Sequence, residues 1–160
     1  MKTKKSVSLN SLRSLAVGIW IAVSASYPVV AQEATSSFPL IKFNVDEYLA
    51  MENPNGDEFF RADILTEDKE IYDMGGLFAI LPAGNEVPYH YHEERESVIF
   101  AIAGEAIQVM EGEEFDFVAG DIIVIPPQTK HQTINRSNEQ FRYVEFFTNP
   151  PVMSDFHLVE

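Results

Sequence analysis

Residues 84–104 read GNEVPYHYHEERESVIFAIAG and contain two of the chain's four histidines, His90 and His92. Side chains alternate across an extended strand, so this spacing of two predicts both imidazoles on the same face. Glu96 follows His92 by four positions. Neutral imidazoles and a carboxylate are ligands that proteins use for Zn, Fe, Mn and Ni. The stretch therefore predicts part of a divalent-metal site, provided that another ligand comes from elsewhere in the chain.

A second stretch supplies that candidate ligand. Residues 120–135 read GDIIVIPPQTKHQTIN, which predicts a short apolar strand, a Pro-Pro turn and another strand. His131 stands at the start of the later strand. We expect its imidazole to join those of His90 and His92 in space.

Together the two stretches resemble the cupin family. Its first motif is G, five residues, H-x-H, three or four residues, E, six residues, G. The positions matched here are Gly84, His90, His92, Glu96 and Gly104. Its second motif is G, five residues, P-x-G, two residues, H, three residues, N. The positions matched here are Gly120, Pro126, His131 and Asn135.

The chain departs from these motifs at two places. Gln128 stands where the second motif has glycine, so the turn before His131 must form without that residue. In the first motif, seven residues rather than six separate Glu96 from Gly104, and counting back from Gly104 places Ser97 in the glutamate position. Strand parity carried on from the histidines favours Glu96, whereas a turn before it would favour Ser97. We predict Glu96 as the ligand.

The resemblance implies a fold and a site. The fold is all-β, a small double-stranded β-helix or jelly-roll (cupin) barrel whose interior accommodates one small ligand. The site holds one divalent ion, of Fe, Mn, Ni, Zn, Co or Cu, on the side chains of His90, His92, Glu96 and His131. Cupins of this kind include metal-dependent oxygenases, isomerases and lyases, and also non-catalytic modules that bind a metal or metabolite. Both functions stay open, because a fold does not determine a function.

The strand pattern supports the same fold class independently. From Met74 onward, short apolar segments alternate with turns rich in Gly, Pro and Asn. Such even spacing is typical of an all-β sandwich or barrel. Residues 38–45 and 59–65 read as earlier strands, and residues 46–52 as a short helical turn. We therefore predict N-terminal strands over 38–72, the barrel over 73–148 and a C-terminal tail over 149–160.

The N-terminus has the layout of a cleavable signal peptide. Residues 1–31 have a basic head, an apolar run over 15–25, and small residues that end at Ala31, so cleavage is expected between Ala31 and Gln32. The apolar run is short for a membrane anchor, since a spanning helix needs about 20 residues. We expect a secreted or periplasmic protein with a flexible leader over 32–37.

Charge and cysteine content limit the partners. All 25 acidic residues but only seven of the 11 basic ones follow Ala31, so the processed chain has a formal charge of −18. Such a charge repels phosphate backbones and anionic lipid, so we expect neither nucleic acid nor membrane as a partner. The chain has no cysteine, which excludes disulfides and thiolate ligands. The expected partner is a small-molecule ligand or substrate.

Further residues have a plain structural interpretation beside a functional one. Residues 93–96 read EERE, typical of a solvated loop, with Arg95 neutralising its neighbours. His157 has no metal-ligating partner in the sequence. Four side chains are candidates to line a pocket, although ordinary barrel packing is the favoured interpretation of each: Phe100, Ile102, Gln108 and Glu145. Apolar residues over 38–65 and 141–147 suggest a homodimer, or else they close the barrel ends.

Overall fold

A computed structural model describes residues 42–65 and 73–160. Within these ranges the chain forms one short helix, α1 (Val45–Leu49), and ten strands. The strands are β1 (Phe60–Leu65), β2 (Met74–Leu81), β3 (His90–Tyr91), β4 (Ser97–Ala103), β5 (Glu105–Met110), β6 (Glu113–Val118), β7 (Ile122–Ile125), β8 (His131–Ile134), β9 (Phe141–Thr148) and β10 (His157–Leu158).

The strands form two antiparallel five-stranded sheets. The first has the order β1-β2-β9-β4-β7 and the second the order β10-β3-β8-β5-β6. The pairs β1–β2 and β5–β6 are consecutive in sequence, whereas the other neighbours are separated, as when β9 lies between β2 and β4. This arrangement confirms the predicted all-β jelly-roll barrel.

The core lies between the sheets, and strand parity determines which residues enter it. In β4 the side chains of Ser97, Ile99 and Ala101 are buried, whereas those of Val98 and Phe100 are exposed. The buried aromatic side chains Phe117 and Phe141 pack at 5.2 Å between ring centroids. Burying one such ring contributes roughly 1.5–3 kcal/mol.

A second apolar cluster covers the outer face of the first sheet. Phe78 and Ile80 of β2 point away from the barrel interior and pack with Val144. Tyr48 of α1 lies 4.7 Å from the Phe78 ring, so the helix covers that face. The Arg142 guanidinium donates to the carbonyls of Tyr48 and Leu49, which anchors the last turn of the helix to β9.

One motif glycine is required by a close approach. Gly104 joins β4 to β5 with φ of +78°, in the left-handed region. A Cβ at this position would lie 2.5 Å from the Gln140 carbonyl oxygen. No other residue fits there without moving the backbone.

The elements differ from the sequence prediction at both ends. Residues 46–52 were expected to form a helical turn, and α1 confirms it, but Val45 begins that helix instead of ending a strand. The strand expected to carry His90 and His92 is reduced to β3, because Pro88 lacks an N–H for a ladder. Residues 149–160 include β10, which pairs with β3, so they pack on the barrel.

Some predictions concern residues outside the described ranges. These are the signal peptide over 1–31, the leader over 32–37, and the start of the expected first strand. Within the described residues, no helix has the length and apolar character needed to cross a bilayer.

Candidate metal centre

Three histidines meet at one point on the second sheet. His90 of β3 lies directly opposite His131 of β8, and His92 follows β3 on the same face. Their ring centroids are 4.1 Å (His90 to His131), 4.9 Å (His90 to His92) and 5.2 Å (His92 to His131) apart. All three side chains are buried. The spatial convergence predicted from the two sequence stretches is therefore present.

Backbone carbonyls orient each imidazole. Nδ1 of His90 lies 2.7 Å from the Pro88 oxygen, and Nδ1 of His131 lies 2.9 Å from the Thr129 oxygen. Nδ1 of His92 contacts the oxygen of Asp155. A carbonyl only accepts, so each Nδ1 carries the proton and each Nε2 keeps its lone pair. One ligand nitrogen from each ring lies within 4.8 Å of the others, a donor set that fits one divalent ion.

The environment keeps these rings neutral. Burial, and then the neighbouring His131, lower the pKa of His90 to about 3. Burial also lowers the pKa of His131 to about 4, and it lowers that of His92. Neutral imidazole is the form that binds metal, so no proton needs to leave at neutral pH.

The structure places Glu96 apart from these histidines. Its side chain is exposed on the outer side of the chain, and its backbone N–H donates to Thr148 Oγ1 at 3.0 Å. Ser97, the alternative obtained by counting back from Gly104, points inward and is 1% exposed. The reason is the non-extended loop over 93–96, which resets the parity between β3 and β4. The histidines thus have no carboxylate at the predicted position.

The Asp155 carboxylate holds that loop in place. It accepts from the backbone N–H groups of Glu93, Glu94 and Arg95 at 2.7 to 2.9 Å. Burial would raise the pKa of Asp155, but these donors outweigh it and lower the pKa to about 2. His157 also contacts this carboxylate, at 3.1 Å, so it has a structural partner and lies outside the three-histidine cluster.

A cavity of about 420 Å³ opens in front of the histidines. Leu77, Ile99 and Tyr143 form its opposite side. The C-terminal segment covers part of it, since Phe156 stacks on His90 with 4.0 Å between ring centroids, and Met153 also lines the cavity. Sequence reasoning missed this role of residues 149–160, which carry no motif.

A carboxylate faces the same cavity. Glu145 of β9 pairs in register with Leu77 and Ile99, both of which point inward. Burial raises the pKa of Glu145, partly offset by the nearby Ser97 hydroxyl and the charge of Arg95. Glu145 is the one sequence candidate of four that lines the cavity. An acidic residue at an inward position of an apolar strand was the signal for it.

The other three pocket candidates lie elsewhere. Phe100 is 39% exposed on the outer face. Ile102 packs in the outer apolar cluster with Phe78. Gln108 is buried in the second sheet and accepts a hydrogen bond from Thr133 Oγ1 at 2.8 Å. Their structural interpretation was the correct one.

Arg95 also lines the cavity, and the expectation that it is a solvated loop residue is wrong. Its side chain is 1% exposed, with the guanidinium carbon 4.5 Å from the centroid of the Phe147 ring. Nη2 donates to the Pro151 oxygen at 3.0 Å, whereas Nε and Nη1 have no hydrogen-bond partner. Packing against an aromatic face outweighs the local charge pattern here.

The second motif positions His131 without its glycine. Gln128 adopts φ of +64°, and its N–H donates to the His92 oxygen at 2.6 Å. This bond ties the turn before His131 to the strand end that carries His92. Asn135 is fully buried and donates to the carbonyls of Leu81 and Glu139, so it stabilises the barrel and lies outside the site.

Comparison with protein families matches residues 76–147 to the family described as "Cupin domain". Those residues form a cupin domain. They contain the three histidines and Glu145, so the predicted family resemblance is confirmed.

One curated protein and one solved structure illustrate what this chain is similar to. An uncharacterized protein from Methanocaldococcus jannaschii is 33% identical over 60 residues, which cover 38% of this chain and 48% of that protein. This chain therefore matches about half the length of that curated relative. The crystal structure of an uncharacterized conserved protein with a double-stranded β-helix domain from Klebsiella pneumoniae is 27% identical with a TM-score of 0.60. That match covers 76% of this chain and 99% of the other.

A third similar structure is the DMSP lyase DddQ from Ruegeria pomeroyi. It is 24% identical with a TM-score of 0.56, and the match covers 64% of this chain and 52% of that one. At this identity the likeness supports the fold and carries no information about substrate.

Proposed function

We propose that this protein is a metal-dependent cupin enzyme that acts on a small organic molecule by an oxygenase, isomerase or lyase reaction. The observation that carries the proposal is the cavity of about 420 Å³, which places three neutral, oriented imidazoles and a separate ionisable side chain, Glu145, around one space. A module that only holds a metal needs neither the space nor the additional acid or base.

The three imidazoles leave coordination positions for a substrate. A three-ligand protein site with an open position is the arrangement of catalytic metal centres, whereas structural sites are closed. A bound divalent ion would supply Lewis-acid chemistry, polarising a substrate oxygen. His90, His92 and His131 would hold it, each oriented by its backbone carbonyl.

Glu145 is the candidate proton-transfer residue. It lies on β9, across the cavity from the histidines, and burial raises its pKa toward the range useful for acid–base work. The nearby Ser97 hydroxyl and the charge of Arg95, which also lines the cavity, favour its charged form. Apolar side chains around it, such as Ile99, limit the water that would compete for the proton.

Which metal the site holds depends on the supply of each metal ion in the protein's compartment as much as on the ligand set. Imidazole suits Fe, Mn, Ni, Co, Zn and Cu, and affinity alone rises toward copper. A redox-active ion would support an oxygenase, and Zn an isomerase or lyase.

The experiment is a reaction screen with defined metal loading. Protein loaded separately with Fe(II), Mn(II), Ni(II) and Zn(II) is incubated with phenolics, thiols and small keto acids. Oxygen uptake reports oxygenase turnover, and NMR reports isomerised or cleaved products. We expect turnover with at least one metal, lost in His131→Ala. Stoichiometric retention of ligands without turnover under any loading would favour the non-catalytic binding module.

We further propose export of the processed chain. The basic head, the apolar run and the small residues before Ala31 support it. Mass spectrometry of the protein from its native host should give an N-terminus at Gln32, and an intact Met1 on the mature protein would contradict export by cleavage.

We also propose a homodimer through the outer face of β4 and β7. Val98 pairs with Val124 and Phe100 with Ile122, and all four side chains are 38–58% exposed. The residues of 141–147 that suggested a dimer, such as Phe141, are instead buried in the core. Sedimentation giving a monomer mass would dispose of the dimer.

A further inference from the structure

The charges that line the cavity are opposite in sign to the chain as a whole. Of the 21 acidic residues within 42–65 and 73–160, the ranges that the structure describes, only Glu145 lines the cavity. Two of the seven basic residues after Ala31, Arg61 and Arg95, line the same space. A divalent ion on the histidines would add two further positive charges. An acidic protein thus surrounds a site that attracts anions.

The Arg95 guanidinium has hydrogen-bonding capacity that the protein does not use. Its side chain is 1% exposed, yet Nε and Nη1 have no partner. Buried donors without acceptors are costly and are uncommon unless they serve a ligand or function. Among the described residues, Arg95 and Glu145 form no ion pair. The nearby negative charge of Glu145 nevertheless stabilises the charged form of the guanidinium. The unused donors belong to a planar group whose geometry matches a carboxylate.

Arg61 adds a second donor at the cavity mouth. It is exposed on β1, and its Nη1 lies 3.6 Å from the sulfur of Met153, a weak acceptor. Met153 is itself 58% exposed and lines the cavity. A methionine side chain adapts readily, so an entering ligand can displace it and contact the Arg61 guanidinium.

We propose that the substrate is a small organic carboxylate, with one end at the metal and a carboxylate held by Arg95 and Arg61. This rests on the proposed function and names its substrate class. The charges of the two guanidiniums and the Glu145 carboxylate sum to +1 on this side of the cavity. This net charge matches the single negative charge of a carboxylate better than the double negative charge of a phosphate. The aliphatic and aromatic side chains around them, including Val87 and Phe59, suit a short carbon skeleton.

The test compares dicarboxylates with their monoamides on Co(II)-loaded protein. Malonate, succinate and glutarate each offer one carboxylate to the metal and a second one at a different distance. Their monoamides keep the metal-binding end and lose the second charge. Binding is followed by the change in Co(II) visible absorption. For at least one length, we expect the dicarboxylate to bind about tenfold more tightly than the monoamide, the effect of one charge-assisted contact.

Variants locate that preference. Arg61→Gln removes the guanidinium at the cavity mouth. Arg95→Lys keeps the buried positive charge but loses the planar pair of donors that matches a carboxylate. Each should reduce the preference to about threefold or less, with the Co(II) content unchanged. Arg136→Gln is the matched control, because Arg136 pairs with Glu114 on the exterior, away from the cavity, and the preference should persist. Arg61 is exposed, so its variant should fold even if the Arg95 variant does not.

The outcomes are distinguishable. Equal affinity for each dicarboxylate and its monoamide, in wild-type protein that holds one Co(II) ion per chain, would overturn the substrate class and leave the metal enzyme standing. A preference that survives both Arg61→Gln and Arg95→Lys would also overturn it. Failure to take up Co(II) at all would overturn the proposed function and this inference together.

Discussion

The two sides of the cavity differ in how completely the protein satisfies their polar groups. On the histidine wall (His90, His92 and His131), each Nδ1 has a backbone carbonyl partner. On the arginine wall (Arg95 and Glu145), Arg95 Nε and Arg95 Nη1 have no hydrogen-bond partner. The first wall is completed by the fold and prepared for a metal. The second is left incomplete, so its polar groups are available to a substrate.

The largest expected effect comes from breaking the histidine wall. His131→Ala removes one of three imidazoles, and metal affinity should fall on the order of 10²–10³-fold, since apparent binding energies of about 10–16 kcal/mol are shared among a few ligands. Competition titration with a chromogenic Zn(II) chelator measures it. Glu96→Ala is the control and should bind as the wild type does, because that side chain is exposed. Equal losses in both variants would restore Glu96 as a ligand.

A smaller effect should follow from loosening the loop between the walls. Asp155→Ala removes the acceptor of three backbone N–H groups, so the free energy of unfolding should fall by about 2–3 kcal/mol. Metal affinity should fall about 10–100-fold, the usual effect of losing an outer support. Chemical denaturation and Zn(II) titration measure the two. Asp116→Ala, an exposed site on β6, should change neither. An unaltered metal affinity in Asp155→Ala would show that the loop does not position His92.

On the arginine wall, we expect a change in the pH dependence of stability. The pKa of Glu145 is raised in the folded protein, so its contribution to stability is present below the unfolded pKa and is lost as pH rises through the folded pKa. The Glu145→Gln variant has no carboxylate to ionise, so its stability does not fall in this way. The unfolding free energy of the variant minus that of the wild type should therefore increase from pH 4 to pH 8, by about 1.4 kcal/mol per unit by which the folded pKa is raised.

Denaturation of the metal-free proteins at several pH values measures that difference. Glu96→Gln is the matched control at an exposed carboxylate, and its curve should run parallel to the wild type. A Glu145→Gln curve that is also parallel would mean that the Glu145 carboxylate is well solvated, contrary to a water-poor arginine wall.

The smallest effect concerns the turn that feeds the histidine wall. Gln128 has φ of +64°, which is unfavourable for a residue with a Cβ. Gln128→Gly should raise the unfolding free energy by up to about 1 kcal/mol, because relief of strain exceeds the added entropy of the unfolded chain. Thermal unfolding measures it. Pro127→Gly, at a neighbour without positive φ, should instead destabilise, and a destabilised Gln128→Gly would show that the side chain has a role of its own.

The histidine wall could be predicted from the sequence because its determinants are local. Strand parity sets His90 and His92 on one face, and a proline turn presents His131. Prediction failed at Glu96, since the loop that resets the parity is held by Asp155, about 60 positions away. The seven-residue spacing to Gly104 was the one local sign that Ser97 points inward.

The arginine wall could not be predicted in the same way. Arg95 stands in an acidic run, and only the fold brings the Phe147 ring beneath its guanidinium. Its partner carbonyl, on Pro151, comes from a segment that reads as a tail. Long-range packing of this kind leaves no periodicity or spacing in the sequence.

The central claim is that three imidazoles hold one divalent ion within the barrel. The most direct measurement is elemental analysis of protein dialysed against Zn(II), combined with X-ray absorption at the zinc edge. We predict one ion per chain, with a first shell of three imidazole nitrogens completed by light atoms from solvent. No retained metal, or a shell without imidazole, would contradict the account.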